Sequence, residues 1–298
     1  MTTPYRSPDA PPGLRPFVSS GKTPVLGVVG GVLAGTLAAL VLSVVYAYGT
    51  IYIPIVQVEF LLTVIFGAAV GASTAGVMHQ QKVRSRTIVI ATAFVLGVFA
   101  WAFSWLPWLY GTFQRFEIPI TVGEVFDPLF LGGAISRVYE TGTWSVGSTG
   151  SSGSAVSGAM LGFVWLCEAA TIIGFSTFVA VAQSKDKVFC EACGSWCTVM
   201  PDRAVYALDA GPALRAALVE RAELSALESA PRPAAVDRWL SLKIGFCAGC
   251  GETNVIGLDE VKQTVDRKGN AQRSNKAYLP FHCLTRGEMT ELRSKLRV

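Results

Sequence analysis

Two Cys-x-x-Cys-Gly motifs hold the residues of this sequence whose types and spacing are most specific: Cys190-Glu191-Ala192-Cys193-Gly194 and Cys247-Ala248-Gly249-Cys250-Gly251. Paired thiolates at this spacing have the form of metal knuckles, and two knuckles supply four ligands to one tetrahedral ion. Four protein ligands close the site and leave no position for a reacting water, so the expected role is structural. Zinc suits this donor set, and iron takes the same four-sulfur geometry. Redox-active dithiols are the competing reading. Thiolates persist as ligands in a reducing compartment, which places this part of the chain in the cytoplasm. Cys197, His282 and Cys283 remain. Cys197 follows the first knuckle closely enough to replace one ligand. A second site built from these three lacks a fourth donor, and free buried thiols are the simpler reading.

Two carboxylates form the other candidate. Glu59 and Glu168 fall within long apolar runs. An acid in hydrocarbon must be neutral, paired or turned toward an aqueous cavity. No Lys, Arg or His lies inside those runs, and His79 falls at the end of one. The pair therefore reads as a proton or cation site, or as packing glue bonded to Gln57 and to hydroxyls on neighbouring helices. At 1.5 Å per residue, Glu59 is expected roughly 12 Å and Glu168 roughly 18 Å from the outer helix ends. With two histidines, no P-loop and no nucleophile–base pair, the sequence leans away from an enzyme.

The elements that must position these groups follow from composition. The chain of 298 residues is 51% hydrophobic and only 15% charged, with mean hydropathy +0.44. Soluble domains carry about 25% charged residues. The deficit lies before residue 184, in four runs near 24–48, 51–78, 87–110 and 156–182. Each approaches or exceeds the ~20 apolar residues needed to span a bilayer, and in lipid such runs must be helical. The fold class is thus a four-helix membrane bundle joined to a small α+β zinc-ribbon domain with inserted helices. The domain reading is a disordered arm over 1–23, a membrane domain over 24–183 and a cytoplasmic domain over 184–298. The polar, Pro- and Ser-rich opening does not read as a cleavable signal peptide.

Lys/Arg bias orients the bundle. Arg6, Arg15 and Lys22 precede the first span, Lys82, Arg84 and Arg86 separate the second and third, and Lys185 and Lys187 follow the fourth. The turn around Gly49-Thr50 is uncharged, and the segment between the third and fourth spans is acidic on balance. Both termini are therefore expected in the cytoplasm, in a multi-pass protein of the cell's inner (plasma) membrane. Tyr46, Tyr48, Tyr52, Trp105, Trp108 and Tyr110 cluster at the predicted outer interface. Pro54 and Pro107 are expected to kink or end helices there. Glycines at four-residue spacing (Gly27, Gly31 and Gly35; Gly67 and Gly71; Gly158 and Gly162) suit close helix packing. That packing favours one compact bundle over a homo-oligomer.

Outside the bundle, Asp127-Pro128 opens an amphipathic surface helix over 127–141, and Gly142 stops it. Ser145–Ser157 reads as a mobile Gly/Ser linker. In the tail, Lys187-Val188-Phe189 and Leu242 to Phe246 lead as strands into the knuckles. The long spacer between the knuckles reads as helices at Pro212–Leu227 and Ala234–Leu240. Asn254–Val265 and Lys276–Leu284 read as a hairpin, and Thr285-Arg286-Gly287-Glu288 as a capping box for a last helix. Arg267, Lys268, Arg273 and Lys276 at the hairpin tip suit anionic lipid headgroups. No interleaved basic and aromatic face suggests nucleic acid.

The knuckles and their lead-in strands resemble zinc-ribbon, rubredoxin-like knuckles. As a whole, with Tyr52-Ile53-Pro54 through Gly71 and Trp165-Leu166-Cys167-Glu168-Ala169 as membrane elements, the chain resembles bacterial four-span membrane proteins of unassigned activity with a cytoplasmic zinc-ribbon tail. The resemblance implies architecture and a metal, and assigns no activity. The leading expectation is a membrane-anchored adaptor or regulator whose zinc-stabilised domain binds a cytoplasmic protein partner. The alternative is a small proton- or cation-coupled transporter or channel using Glu59 and Glu168, and a membrane thiol-redox enzyme ranks third.

Overall fold

In the computed structural model, described over residues 13–53, 55–142, 145–146, 154–234, 237–266 and 269–296, the chain divides into two units. One runs from Gly21 to Lys185. The other joins the N-terminal segment up to Ser20 with everything from Asp186 onward.

The first unit is built on α1 (Val25–Tyr52), α2 (Val56–Gln80), α3 (Arg86–Arg115) and α6 (Gly158–Gln183), and all four are long and apolar enough to cross a membrane. Lipid replaces water as solvent for such helices, so packing between them depends on shape rather than on a hydrophobic stripe. Accordingly, Leu26, Leu33 and Val41 of α1 face outward, while Gly31, Gly35 and Ala39 are buried. α1 and α6 each pack along both α2 and α3, and α2 and α3 also touch. The glycines set the spacing. A Cβ at Gly71 would sit 2.2 Å from the carbonyl oxygen of Ser176 on α6, and one at Gly31 would sit 2.2 Å from Met78 Cγ. Gly158 and Gly162 do not form a matching face: an added Cβ at Gly158 meets nothing, and at Gly162 it meets Tyr139 of the surface helix.

Several boundaries differ from expectation. Gly49 and Thr50, read as a turn, lie inside α1, where Gly49 sits against Leu62 of α2. The chain breaks instead near Ile53 and Ile55; Pro54 lies outside the described residues. Pro107 does not end α3, which continues to Arg115. Arg115 then donates to the carbonyl oxygen of Ile51, satisfying one of the orphan acceptors at the end of α1.

Between α3 and α6 lie α4 (Val122–Val125) and α5 (Pro128–Thr141). Asp127 caps α5 by accepting from Leu129 N at 2.9 Å, and Gly142, at φ 75°, ends it. No residue of α5 is buried, and Leu129 is 86% exposed. Trp105, Trp108, Trp165 and Tyr139 meet ring to ring and tie α3, α6 and α5 together.

The second unit has a five-stranded antiparallel sheet in the order β1-β9-β8-β7-β6. Its strands are β1 (Arg15–Pro16), β6 (Thr198–Tyr206), β7 (Arg238–Phe246), β8 (Asn254–Val265) and β9 (Ala271–Leu284). Two short hairpins stand apart: β2 (Ser145–Val146) with β3 (Ser154–Ala155) in the first unit, and β4 (Phe189–Cys190) with β5 (Ser195–Trp196) here. Most of the expected linker 145–157 lies outside the described residues. Alternation along the sheet supplies the core: Leu240, Leu242 and Ile244 on β7, and Ile256 and Leu258 on β8, turn to one face. They meet Leu214 and Leu218 of α7 (Gly211–Arg221), Leu227 of α8 (Ala226–Ser229), and Met289 and Leu292 of α9 (Arg286–Leu296). Each such burial contributes roughly 1.5–3 kcal/mol. Thr285 and Glu288 exchange the bonds of a capping box at the start of α9.

On the opposite face, Lys243 has a side chain only 5% exposed, held 2.7 Å from both Asp186 and Asp259 and lying over the Phe281 ring. Two carboxylates compensate the desolvation that a lone buried ammonium would suffer.

Two expectations for this unit are corrected, and one strand lies where the sequence predicts no element. The helix expected over Ala234–Leu240 is strand from Arg238 onward (235–236 lie outside the described residues), because Trp239 to Phe246 alternate between faces and pair on both sides. β6, with a bulge between Met200 and Ala204, was not anticipated. The N-terminal arm is not disordered throughout. Arg15 and Pro16 pair with Cys283 and His282, Phe17 N donates to Phe281 O at 2.8 Å, and Leu14 is buried in the core.

Candidate metal centre

The first knuckle is the turn of the β4–β5 hairpin. Cys190 pairs across it with Ser195, Gly194 N donates to Cys190 O at 2.9 Å, and Gly194 turns the chain at φ 65°. The second joins β7 to β8 in the same way: Gly251 N donates to Cys247 O at 2.9 Å, with Gly251 at φ 67°. This left-handed conformation explains the glycine that follows each second cysteine. Cys247 N donates to Thr253 O, and the Asn254 side-chain amide to Gly251 O, fastening the second turn to β8.

The two turns bring the sulfurs of Cys190, Cys193, Cys247 and Cys250 within 4.8 Å of one another. Cys193 and Cys247 are 3.1 Å apart, Cys190 and Cys250 3.4 Å, and Cys247 and Cys250 3.6 Å. Disulfides need about 2.05 Å, so these are free thiols. A metal–sulfur bond of about 2.3 Å implies tetrahedral edges of roughly 3.8 Å. These three separations are somewhat shorter than that value and no pair exceeds 4.8 Å, so the four sulfurs are close enough to share one tetrahedral ion. Cys190 and Cys247 are buried, and Cys193 is exposed.

Burial raises the Cys247 thiol, but hydrogen bonding to Cys193, to the backbone N–H of Cys250, to Ser195 and to the N–H of Gly249 outweighs it and brings the thiol to about 6. Cys197 is not one of the four. Burial, then the charges of the four neighbouring sulfurs, push it up to about 12. Of the two thiols expected to be buried, Cys197 is only partly so and Cys283 is exposed on β9, whose residues alternate between faces. His282 Nδ1 lies 2.8 Å from Pro280 O, so this ring is engaged with its own strand.

Ser195 belongs to the centre although the sequence did not single it out. Its hydroxyl lies 3.1 Å from Cys193 Sγ and 3.7 Å from Cys247 Sγ. The only sequence signal is a hydroxyl two residues after the knuckle's second cysteine.

The carboxylates of the first unit are arranged differently from expectation. Glu59 lies in the first turn of α2, near its end rather than well inside it, because the helix begins only at Val56. Glu168 is on α6 and accepts from the Tyr46 hydroxyl at 2.6 Å. That hydroxyl is also 3.2 Å from Thr63 Oγ1, and Thr63 donates to the backbone carbonyl of Glu59 at 2.7 Å. Tyr46, expected as an interface aromatic, is buried and joins three helices through one oxygen. Among the described residues the Gln57 side chain does not bond either carboxylate; the hydroxyl that reaches Glu168 is that of Tyr46.

Of the four basic residues expected at lipid headgroups, Arg267 and Lys268 lie outside the described residues. Arg273 is held by Asp202 at 2.5 Å and lies over the Trp239 ring. Lys276 is exposed on β9.

Four helices of membrane-spanning length and an antiparallel sheet domain with a four-thiol cluster define the class of molecule. No protein-family model, curated protein or solved structure matches the chain.

Proposed function

We propose that this is a multi-pass protein of the bacterial inner membrane whose four cysteines hold a structural zinc ion in a zinc-ribbon-like domain. That domain acts as a cytoplasmic adaptor, binding a protein partner. The carrying observation is the convergence of two distant knuckles on a volume that fits one tetrahedral ion. Cys190, Cys193, Cys247 and Cys250 are the ligands; the ion would fix the β4–β5 turn to the β7–β8 turn. With all four positions taken by sulfur, the site has a stapling role rather than a catalytic one. β9 supports the binding role: its first seven residues are exposed and, beyond the short β1 contact, its outer edge has no strand partner among the described residues. Such an edge accepts an extended peptide by strand addition. Lys/Arg bias supports cytoplasmic termini.

Elemental analysis of the purified full-length protein tests the metal, with one zinc per chain expected. Crosslinking from β9 in intact cells tests the adaptor role. Partner crosslinks should vanish in Cys247→Ser/Cys250→Ser protein that still inserts. Zinc- and iron-free protein would refute the centre, and crosslinks unchanged by the double substitution would refute the adaptor.

A second reading rests on the Glu168–Tyr46–Thr63 contacts, which place a carboxyl and two hydroxyls in series inside the bundle. On that reading the bundle conducts protons or cations. Proteoliposomes should show flux that Glu168→Gln abolishes; no flux with wild-type protein would remove it.

A further inference from the structure

Ser195 stands where its hydroxyl can act on both knuckles at once. It is placed by the β4–β5 pairing opposite Cys190, and the left-handed Gly194 immediately before it turns the strand back toward the sulfurs. The two sulfurs within its reach, Cys193 and Cys247, come from different knuckles and are themselves 3.1 Å apart. A thiolate has no hydrogen to give, so when the sulfurs are ligands the hydroxyl must be the donor.

We infer that Ser195 is a positioning residue of the metal centre: its hydroxyl donates to the Cys193 sulfur, leans toward the Cys247 sulfur, and holds one ligand from each knuckle in place for the ion. The inference rests on the reading of the four thiols as metal ligands. Outer partners of this kind orient ligands, and their loss weakens metal binding by about 10- to 100-fold.

The test uses full-length protein in detergent with Zn²⁺ alone and Co²⁺ alone. Ser195→Thr and Ser195→Val are compared because they are nearly isosteric, both suit a strand, and only threonine keeps the hydroxyl. Competition against a chromophoric chelator should show Ser195→Val binding Zn²⁺ about 10- to 100-fold more weakly than wild type, with Ser195→Thr close to wild type. The thiolate-to-Co²⁺ absorption should shift in Ser195→Val only. Ser20→Ala is the control. Ser20 donates to Glu191 in the same knuckle at 2.6 Å without touching sulfur, so its loss should leave affinity and spectrum unchanged. Equal affinity and equal spectra for the threonine and valine variants would overturn the inference and leave the metal reading standing. A wild-type protein that binds neither ion would overturn both.

Discussion

Leu14 precedes the first long helix, yet its side chain is 6% exposed within the core of a domain otherwise built after residue 185. Leu14→Ala should therefore destabilise the far end of the chain. Truncating a buried leucine costs about 2–5 kcal/mol. Leu14 sits at the margin of the core, beside a two-residue strand, so a mid-range value of about 3 kcal/mol is appropriate. At about 1.4 kcal/mol per tenfold, that is roughly a hundredfold in the local opening equilibrium. Hydrogen exchange read by mass spectrometry on the full-length protein is the assay. Amides of β9 near Phe281–Leu284 and of α7 around Leu218 should lose about two orders of magnitude of protection, because β1 pairs with the former and Leu14 N donates to Leu218 O. Val18, 80% exposed, supplies the control, and Val18→Ala should change nothing. Wild-type exchange in both segments of Leu14→Ala protein would refute the view that the N-terminal segment is part of the sheet domain.

Gly71→Leu must push α2 away from the Ser176 carbonyl and should lower the melting temperature of the bundle in detergent, at a cost of about 1–3 kcal/mol. Tyr46→Phe removes the donor to Glu168 and should cost a further 1–3 kcal/mol by the same measurement, about the penalty of one buried unmet polar group. Lys243→Met leaves Asp186 and Asp259 without their shared cation and should lower the tail's urea midpoint by the equivalent of about 3–5 kcal/mol, followed by Trp196 and Trp239 fluorescence. Chelation of the metal should expose the 190–197 hairpin to protease. Since thiolate ligands must be deprotonated, zinc retention measured with an indicator should fall as pH falls.

Much of this architecture is legible because it rests on local or length-based rules. The four long helices follow from apolar length, α5 from Asp127-Pro128 and Gly142, β8 from its β-branched run, and α9 from its Thr285–Glu288 box. The gathering of four sulfurs follows from motif spacing. What escaped depends on contacts distant in sequence. Trp239 and Leu240 follow two prolines and resemble a helix start, yet β6 and β8 on either side draw them into a sheet. β6 is interrupted by Pro201 and Asp202, which hides its period of two. β1 has too few apolar residues to announce itself, and only β9, far along the chain, makes it a strand. The depth of Glu59 was misjudged because α1 runs through Gly49-Thr50 and shifts the break to 53–55. Tyr46 and Ser195 act through single oxygen atoms whose targets lie on other elements, a relation that spacing cannot encode.

The pairing of β1 with β9 carries a consequence for biogenesis. One strand leaves the ribosome before any of the long helices and the other after all of them. They can meet only if an even number of crossings separates them, as would be so if all four long helices cross. A chain in which one helix failed to insert would strand its two ends in different compartments, with Leu14 and its pocket parted by the bilayer. The β1–β9 pairing can therefore form only in a chain whose long helices cross an even number of times.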